Sequence, residues 1–193
     1  SLCLGCSFMF MEVEMGKELS LAENAEVGDC IFVKPDILAQ YQARVSTFPQ
    51  KNNRPYCLVV ADPTREGIYW AVPITSSSIE KYKDRAKKAP LKFRFYQFRG
   101  KENCFNVSQM FPIIRSDINN VYVTKGVKAK IRKDDFQDLE RTVSSILASP
   151  NTLRHVTNIN APMLLEMAQR RFQIEQNRAS RTNAAENTKG MSR

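Results

Sequence analysis

Arg54 to Ser78 reads RPYCLVVADPTREGIYWAVPITSSS. Two apolar runs, Tyr56 to Ala61 and Ile68 to Ile74, flank the turn DPTREG, in which Pro63 and Gly67 punctuate the chain; a β-hairpin is predicted. Val59, Val60, Ile68, Tyr69, Trp70 and Val72 have the β-branched or aromatic shapes that suit a buried pleated sheet. Pro73 has no N–H for a ladder and is expected to end regular pairing. Thr75, Ser76, Ser77 and Ser78 then emerge at the rim with free hydroxyls. A cationic strip follows almost at once. From Lys81 to Lys101 the chain carries Lys81, Lys83, Arg85, Lys87, Lys88, Lys92, Arg94, Arg99 and Lys101 against one acid, Asp84. That local net of +8 leaves the rest of the chain only +1 of its overall +9. An apolar hairpin, a hydroxyl rim and a cationic strip in that order suggest a site for a phosphodiester.

Upstream, Gly28-Asp29 reads as a turn and Cys30 to Lys34 as a strand closed by Pro35, with Asp36 placed to cap a short helical turn through Tyr41. A polar loop, Ser46 to Asn53, delivers Arg54 to the hairpin. Downstream, EKYKDRAKKAP reads as a helix or a loop ended by Pro90. LKFRFYQFR alternates, with Leu91, Phe93 and Phe95 on one side and Lys92, Arg94 and Tyr96 on a cationic, aromatic outer side. MFPIIRS and NNVYVTKG are two more short strands. VKAKIRK sets Val127, Ala129 and Ile131 inward against Lys128, Lys130 and Arg132. Many short strands without an intervening helical pattern imply a small antiparallel barrel. Asp134 or Asp135 is expected to cap a helix whose apolar stripe is Phe136, Leu139, Val143, Ile146 and Leu147. Pro150 lies beyond its end, and a second helix is predicted from near Pro162 through Met163, Leu164, Met167 and Phe172. The expected organisation is a poorly ordered leader over residues 1–26, one domain over 27–176 and a disordered polar tail over 177–193.

With 42% hydrophobic residues the chain can bury a core, which excludes wholesale disorder. A pI near 9.4 favours an anionic partner, nucleic acid ahead of an anionic membrane surface. The apolar opening SLCLGCSFMF is far shorter than the ~20 residues that span a bilayer. Five cysteines at scattered spacings form no disulfide grid and fit a reducing cytoplasm. Cys3 and Cys6 make one CxxC, but no second pair or histidine partner completes a zinc site.

GDCIFVK, RPYCLVV and VPITSS resemble the barrel signature of the MazF/PemK ribonuclease toxins. MFPIIRSDINNVYV followed by DDFQDLERTVSSILASPNTL resembles the ToxN, CptN and TenpN toxins of type III toxin–antitoxin systems. The resemblance covers roughly residues 27–155. It implies an α+β fold, a compact antiparallel SH3-like β-barrel with appended α-helices. It also implies a metal-independent endoribonuclease in phage defence, without cofactor, inhibited by a small repeated pseudoknot RNA antitoxin in a closed protein–RNA hetero-oligomer. Thr75 and Ser76 match the family's Thr-Ser, whose hydroxyl sits at the scissile phosphate. Arg54 or Lys51 stands where the family has a basic residue. Tyr41, with Lys34 close by, corresponds to the family's N-terminal tyrosine. Ser77 and Ser78 occupy the place of the family's lysine, leaving Lys81 or Lys83 to reach in. The alternatives are a MazF-like mRNA interferase with a protein antitoxin and a non-catalytic RNA-binding protein.

RNA carries its own nucleophile, the 2′-OH. A ribonuclease must take that proton, stabilise charge on phosphorus and protonate the leaving 5′-oxygen. The only histidine, His155, excludes a two-histidine mechanism, and no Asp/Glu cluster suggests two metals. Catalysis is expected from Lys34, Tyr41, Arg54, Thr75 and Ser76, leaving 2′,3′-cyclic phosphate and 5′-hydroxyl ends. Lys51, Ser77, Ser78, Lys81, Lys83, Arg85, Lys87, Lys88, Lys92, Arg94, Tyr96, Lys128, Lys130 and Arg132 are the expected RNA contacts.

Overall fold

The computed structural model describes residues 24–48 and 54–190, with side chains as far as residue 182. Cys3, Cys6, Lys51, nearly all of the leader and most of the loop ahead of Arg54 lie outside the described residues. The hairpin forms as read: β2 (Tyr56–Ala61) pairs with β3 (Ile68–Thr75), with Cys57 opposite Val72 and Ala61 opposite Tyr69. Its turn is tied by Asp62, whose carboxylate accepts the Thr64 N–H at 3.0 Å and the Trp70 indole N–H at 2.9 Å. Gly67 closes the turn at φ +73°, and a Cβ there would lie 2.1 Å from the ring of Phe172. We expect Gly67→Ala to cost about 1–3 kcal/mol, from left-handed backbone strain and the displaced ring. A thermal melt that does not move would show the contact to be idle.

Around the hairpin, β1 (Cys30–Val33), β4 (Arg94–Phe98), β5 (Lys101–Phe105), β6 (Phe111–Ile114) and β7 (Ile118–Val121) complete a seven-stranded sheet in the order β4-β5-β3-β2-β1-β7, with β6 also on β3. A separate ribbon joins β8 (Val123–Thr124) to β9 (Val127–Lys128). The α+β class stands, but the expected barrel does not: β4 and β7 are the two ends of the sheet, and neither pairs with the other. Closure would need a continuous ladder around the strands. Instead β4 faces a helix through its side chains, and the chain leaves β7 for the small ribbon.

Pro73 does not stop β3. It sits opposite Tyr56, its carbonyl accepts the Asn106 N–H at 3.0 Å, and the strand runs on through Thr75. Here β3 changes partner. Ile68 to Ala71 pair with β6, whereas Ile74 and Thr75 pair with Phe105 and Cys104 of β5. The missing N–H falls where one ladder hands over to the next.

The helices are α1 (Pro35–Arg44), α2 (Ile79–Lys88), α3 (Lys133–Leu147), α4 (Pro150–Val156) and α5 (Ala161–Gly190). α2 is the helix-or-loop segment resolved as helix, and it interrupts the run of strands that suggested a barrel. Lys34 and Arg132 flank the starts of α1 and α3 rather than the expected aspartates. Asp36, Asp134 and Asp135 lie in the first turns, where the helix dipole favours negative charge. Leu139, Val143 and Ile146 of α3 are buried as the stripe predicts, with Phe136 and Leu147 packed at its edges. They join Trp70, Ile68, Phe105 and Met110 in one core. A second core on the other side of the sheet gathers Tyr41, Phe48, Tyr56 and Phe111, whose rings meet edge-on.

α5 closes that second core with Leu164 and is pinned by a buried ion pair. Arg171 donates to both carboxylate oxygens of Asp117, at 2.7 and 3.2 Å, and to the Tyr41 hydroxyl at 2.6 Å. Asp117 also accepts the Ile114 N–H at 3.0 Å. From residue 173 to 182 the helix is exposed, and its backbone continues as helix to Gly190. Its Ala, Glu, Arg and Gln residues are good helix formers. Among the described residues no helix is long and apolar enough to cross a membrane.

Candidate functional site

The change of partner at Pro73 builds a cleft. Because Tyr56 stands opposite Pro73 and the Ile74 N–H donates to the Pro55 carbonyl at 3.0 Å, Arg54 is carried to the end of β3 where Thr75 and Ser76 leave the sheet. The facing wall is the β4–β5 hairpin. Its two turn residues, Arg99 and Gly100, take φ +56° and +69°, the tight left-handed pair that matches strand twist. Asn103 braces that turn, donating to the carbonyls of Phe98 at 2.9 Å and Lys101 at 2.8 Å. Tyr122, from the stretch between β7 and β8, completes a cleft of about 490 Å³.

The described lining holds three cations, Arg54, Arg99 and Lys101, and neither a carboxylate nor a histidine. Arg99 lies 5.0 Å over the Tyr122 ring and donates to its hydroxyl. Arg54 is the unusual member. It is only 8% exposed, and it makes no ion pair with any described acid. The nearby Cys104 thiol does not neutralise it: burial pushes that thiol up to about 12, against the pull of Arg54. A guanidinium cannot shed its proton, and a buried unpaired charge is costly. The cleft therefore favours an anion. Thr75, also 8% exposed, shares a hydrogen bond with the Ser77 hydroxyl at 3.0 Å and accepts the Ser77 N–H at 3.3 Å. Ser76 is exposed on the lining. Among the described residues no group of three or more His, Cys, Asp or Glu is placed to hold a metal ion.

Arg54, Thr75 and Ser76 are thus brought together, whereas the other expected catalytic residues are not in this cleft. Tyr41 is fully buried in the second core, where its hydroxyl donates to the Pro112 carbonyl at 2.7 Å. Burial drives its ionisation well above the ordinary tyrosine range. Lys34 sits at the start of α1, its N–H on the Asp117 carbonyl. Ser77 and Ser78 are exposed at the rim, Ser78 in a left-handed conformation before α2.

The cationic strip does not form a single face. Lys81, Lys83, Arg85, Lys87 and Lys88 ride on α2. Lys83 is held by Glu102 at 2.7 Å and Glu80 at 3.2 Å, Lys87 by Asp84, and Arg85 stacks on Tyr82. Lys92 donates to Asn158. Arg94 and Tyr96, expected on an outer face, are bound to α3. Arg94 donates to the Thr142 hydroxyl at 2.9 Å and Tyr96 to Asp138 at 2.7 Å. Lys128 and Lys130 surround the fully buried Asp29, and Arg132 pairs with Asp135. Val127, expected inward, is 69% exposed beside the ribbon's turn, because Lys125 and Gly126 turn the chain back there.

The cleft residues absent from the expected set are Arg99, Lys101, Asn103 and Tyr122. Arg99-Gly100 ends an alternating run with a turn signal that could have marked Arg99 and Lys101 as a hairpin tip, where the structure has them. For Asn103 and Tyr122 no local signal exists, since both reach the cleft through tertiary placement.

No family model matches the chain, and no curated relative matches it. Among solved structures it is similar to AbiQ, a lactococcal anti-phage endoribonuclease belonging to the type-III toxin–antitoxin system. The TM-score is 0.59 at 14% identity, over 75% of this chain and 98% of that one. At that identity the likeness speaks to the fold. It falls on the same group of proteins that the sequence motifs resemble.

Proposed function

We propose that the chain is an endoribonuclease of the toxin–antitoxin kind, cutting RNA in the cleft between Arg54 and the β4–β5 hairpin. The observation that carries this reading is the buried, acid-free guanidinium of Arg54 beside the hydroxyls of Thr75 and Ser76. In the proposed reaction the ribose 2′-oxygen attacks the adjacent phosphorus. A 2′,3′-cyclic phosphate forms, the P–O5′ bond breaks, and the 5′-oxygen takes up a proton. Arg54 offsets the charge that builds on the non-bridging oxygens, and Thr75 and Ser76 hold the phosphate in line. The described lining offers no side chain whose ordinary pKa lies near neutrality. Positioning and charge therefore supply the acceleration, with protons exchanged through water. When the enzyme is held inactive, a small repeated RNA antitoxin of pseudoknot form occupies the same basic cleft in a closed protein–RNA assembly in the cytoplasm. Substrates are cellular or phage transcripts.

Purified protein acting on a defined RNA tests this. Cleavage is expected to persist in EDTA and to leave cyclic-phosphate and 5′-hydroxyl ends, with no bell-shaped limb between pH 5 and 8. Thr75→Val with Ser76→Ala should slow it about 100-fold. Ends bearing 5′-phosphate, or complete loss of cutting in EDTA, would refute the mechanism. The lack of a neutral-range acid or base also suits a protein that only holds RNA. Tight binding of an oligonucleotide that is never cut identifies that case.

A further inference from the structure

A second groove, of about 450 Å³, adjoins the cleft and shares Phe98 and Arg99 with it. Both volumes lie within the roughly 300–1,000 Å³ of small-molecule sites, so each has room for a nucleotide-sized group. Their electrostatics differ. The charged residues of the described cleft lining are all cations, whereas in the second groove Lys128 is held at 3.1 Å by the buried Asp29 and Lys130 at 3.4 Å by Glu26. Those charges are balanced, so this end is built for a neutral group rather than for a phosphate. Its apolar surface comes from Phe98, half-buried Ala129 and Val127, the last 69% exposed. Thr124 lines it too, and its hydroxyl is closed to solvent without a partner among the described residues. An unpaired buried hydroxyl is a cost that a ligand's polar edge can remove. The wall carrying Thr124 and Val127 is the β8–β9 ribbon, two residue pairs long.

We propose that this groove is a nucleobase subsite: the base next to the scissile phosphodiester stacks against Val127, and Thr124 reads its edge. This rests on the reading of the cleft as an RNA-cutting site and adds to it the element that sets sequence preference. Arg99, common to both grooves, holds the phosphate between the two nucleotides.

Two measurements on the full chain decide it. Cut sites are mapped on a random-sequence RNA, and binding is followed by anisotropy with labelled pentanucleotides carrying a 2′-deoxyribose at the cut position. Thr124→Val, which keeps the side-chain shape, should reorder the preferred base at one position by about tenfold. Val127→Glu, or an abasic nucleotide at that position, should weaken binding roughly tenfold or more. Unchanged preference in Thr124→Val, together with full affinity for the abasic probe by a protein that still cuts RNA, would overturn the subsite alone. A parental chain that neither binds nor cuts RNA overturns the proposed function, and the subsite with it.

Discussion

Arg54→Ala is expected to slow RNA cleavage by about 100- to 1,000-fold, as when one well-placed donor is removed from a charge-stabilising site. The same substitution should leave the fold no less stable. In the free protein this guanidinium is buried without a described carboxylate to answer it, so its removal relieves a desolvation cost rather than breaking a contact. Activity and stability therefore move apart, as expected for a residue retained for function. Arg54→Lys keeps the charge but loses the planar fork and should recover only part of the rate. Single-turnover cleavage and a thermal melt on the same preparations decide it. A variant that melts far earlier yet cuts RNA at the parental rate would make Arg54 a structural residue.

Arg171→Ala is the converse case. It leaves Asp117 buried without its two guanidinium bonds and removes the hydrogen bond to Tyr41. Removing one partner of a buried pair typically costs about 3–5 kcal/mol. At roughly 2–4 °C per kcal/mol for a chain of this size, the melting midpoint should fall by about 6–20 °C. Burial pushes the Asp117 carboxyl above its ordinary range, even against the pull of Arg171 and the Ile114 N–H. A carboxyl whose folded pKa exceeds its unfolded value takes up its proton more readily in the folded state. Its burden is therefore full above the folded pKa and eases as pH falls toward the unfolded value near 4. Loss of Arg171 raises that pKa further, so the deficit of Arg171→Ala should shrink in acid. Arg171→Met combined with Asp117→Asn should recover much of the loss at neutral pH. A deficit independent of pH would mean that the pair contributes packing alone.

How far the sequence reached depended on the range of the interaction involved. The β2–β3 hairpin was legible because β-branched residues and the DPTREG turn act locally. The buried stripe of α3 was legible from its spacing. The partner change at Pro73 was not, because it depends on strands β5 and β6, dozens of residues away. For the same reason the open sheet was mistaken for a closed one: short alternating strands look alike until their edges are assigned. Tyr41 was placed at the site by resemblance, yet an aromatic flanked by Ile37, Leu38 and Val45 belongs to the core those residues form. The alternation of Lys92, Arg94 and Tyr96 did not hold as read: Lys92 lies in a 3-10 turn, Leu91 is exposed instead of inward, and the side of β4 bearing Arg94 and Tyr96 is covered by α3. Arg54, Thr75 and Ser76 were singled out by the hairpin and the resemblance together, and the β2–β3 register carries them to one end of the sheet.

One strand, β3, belongs to three ladders at once. Sliding it by a single residue would invert its side chains against β2, β6 and β5 together. The orientation of Thr75 is therefore inherited from pairings made as far back as Ile68 and Trp70, deep in the hydrophobic interior. Altered packing around the indole should be felt as misalignment at the rim, so interior and reactive edge must evolve in concert.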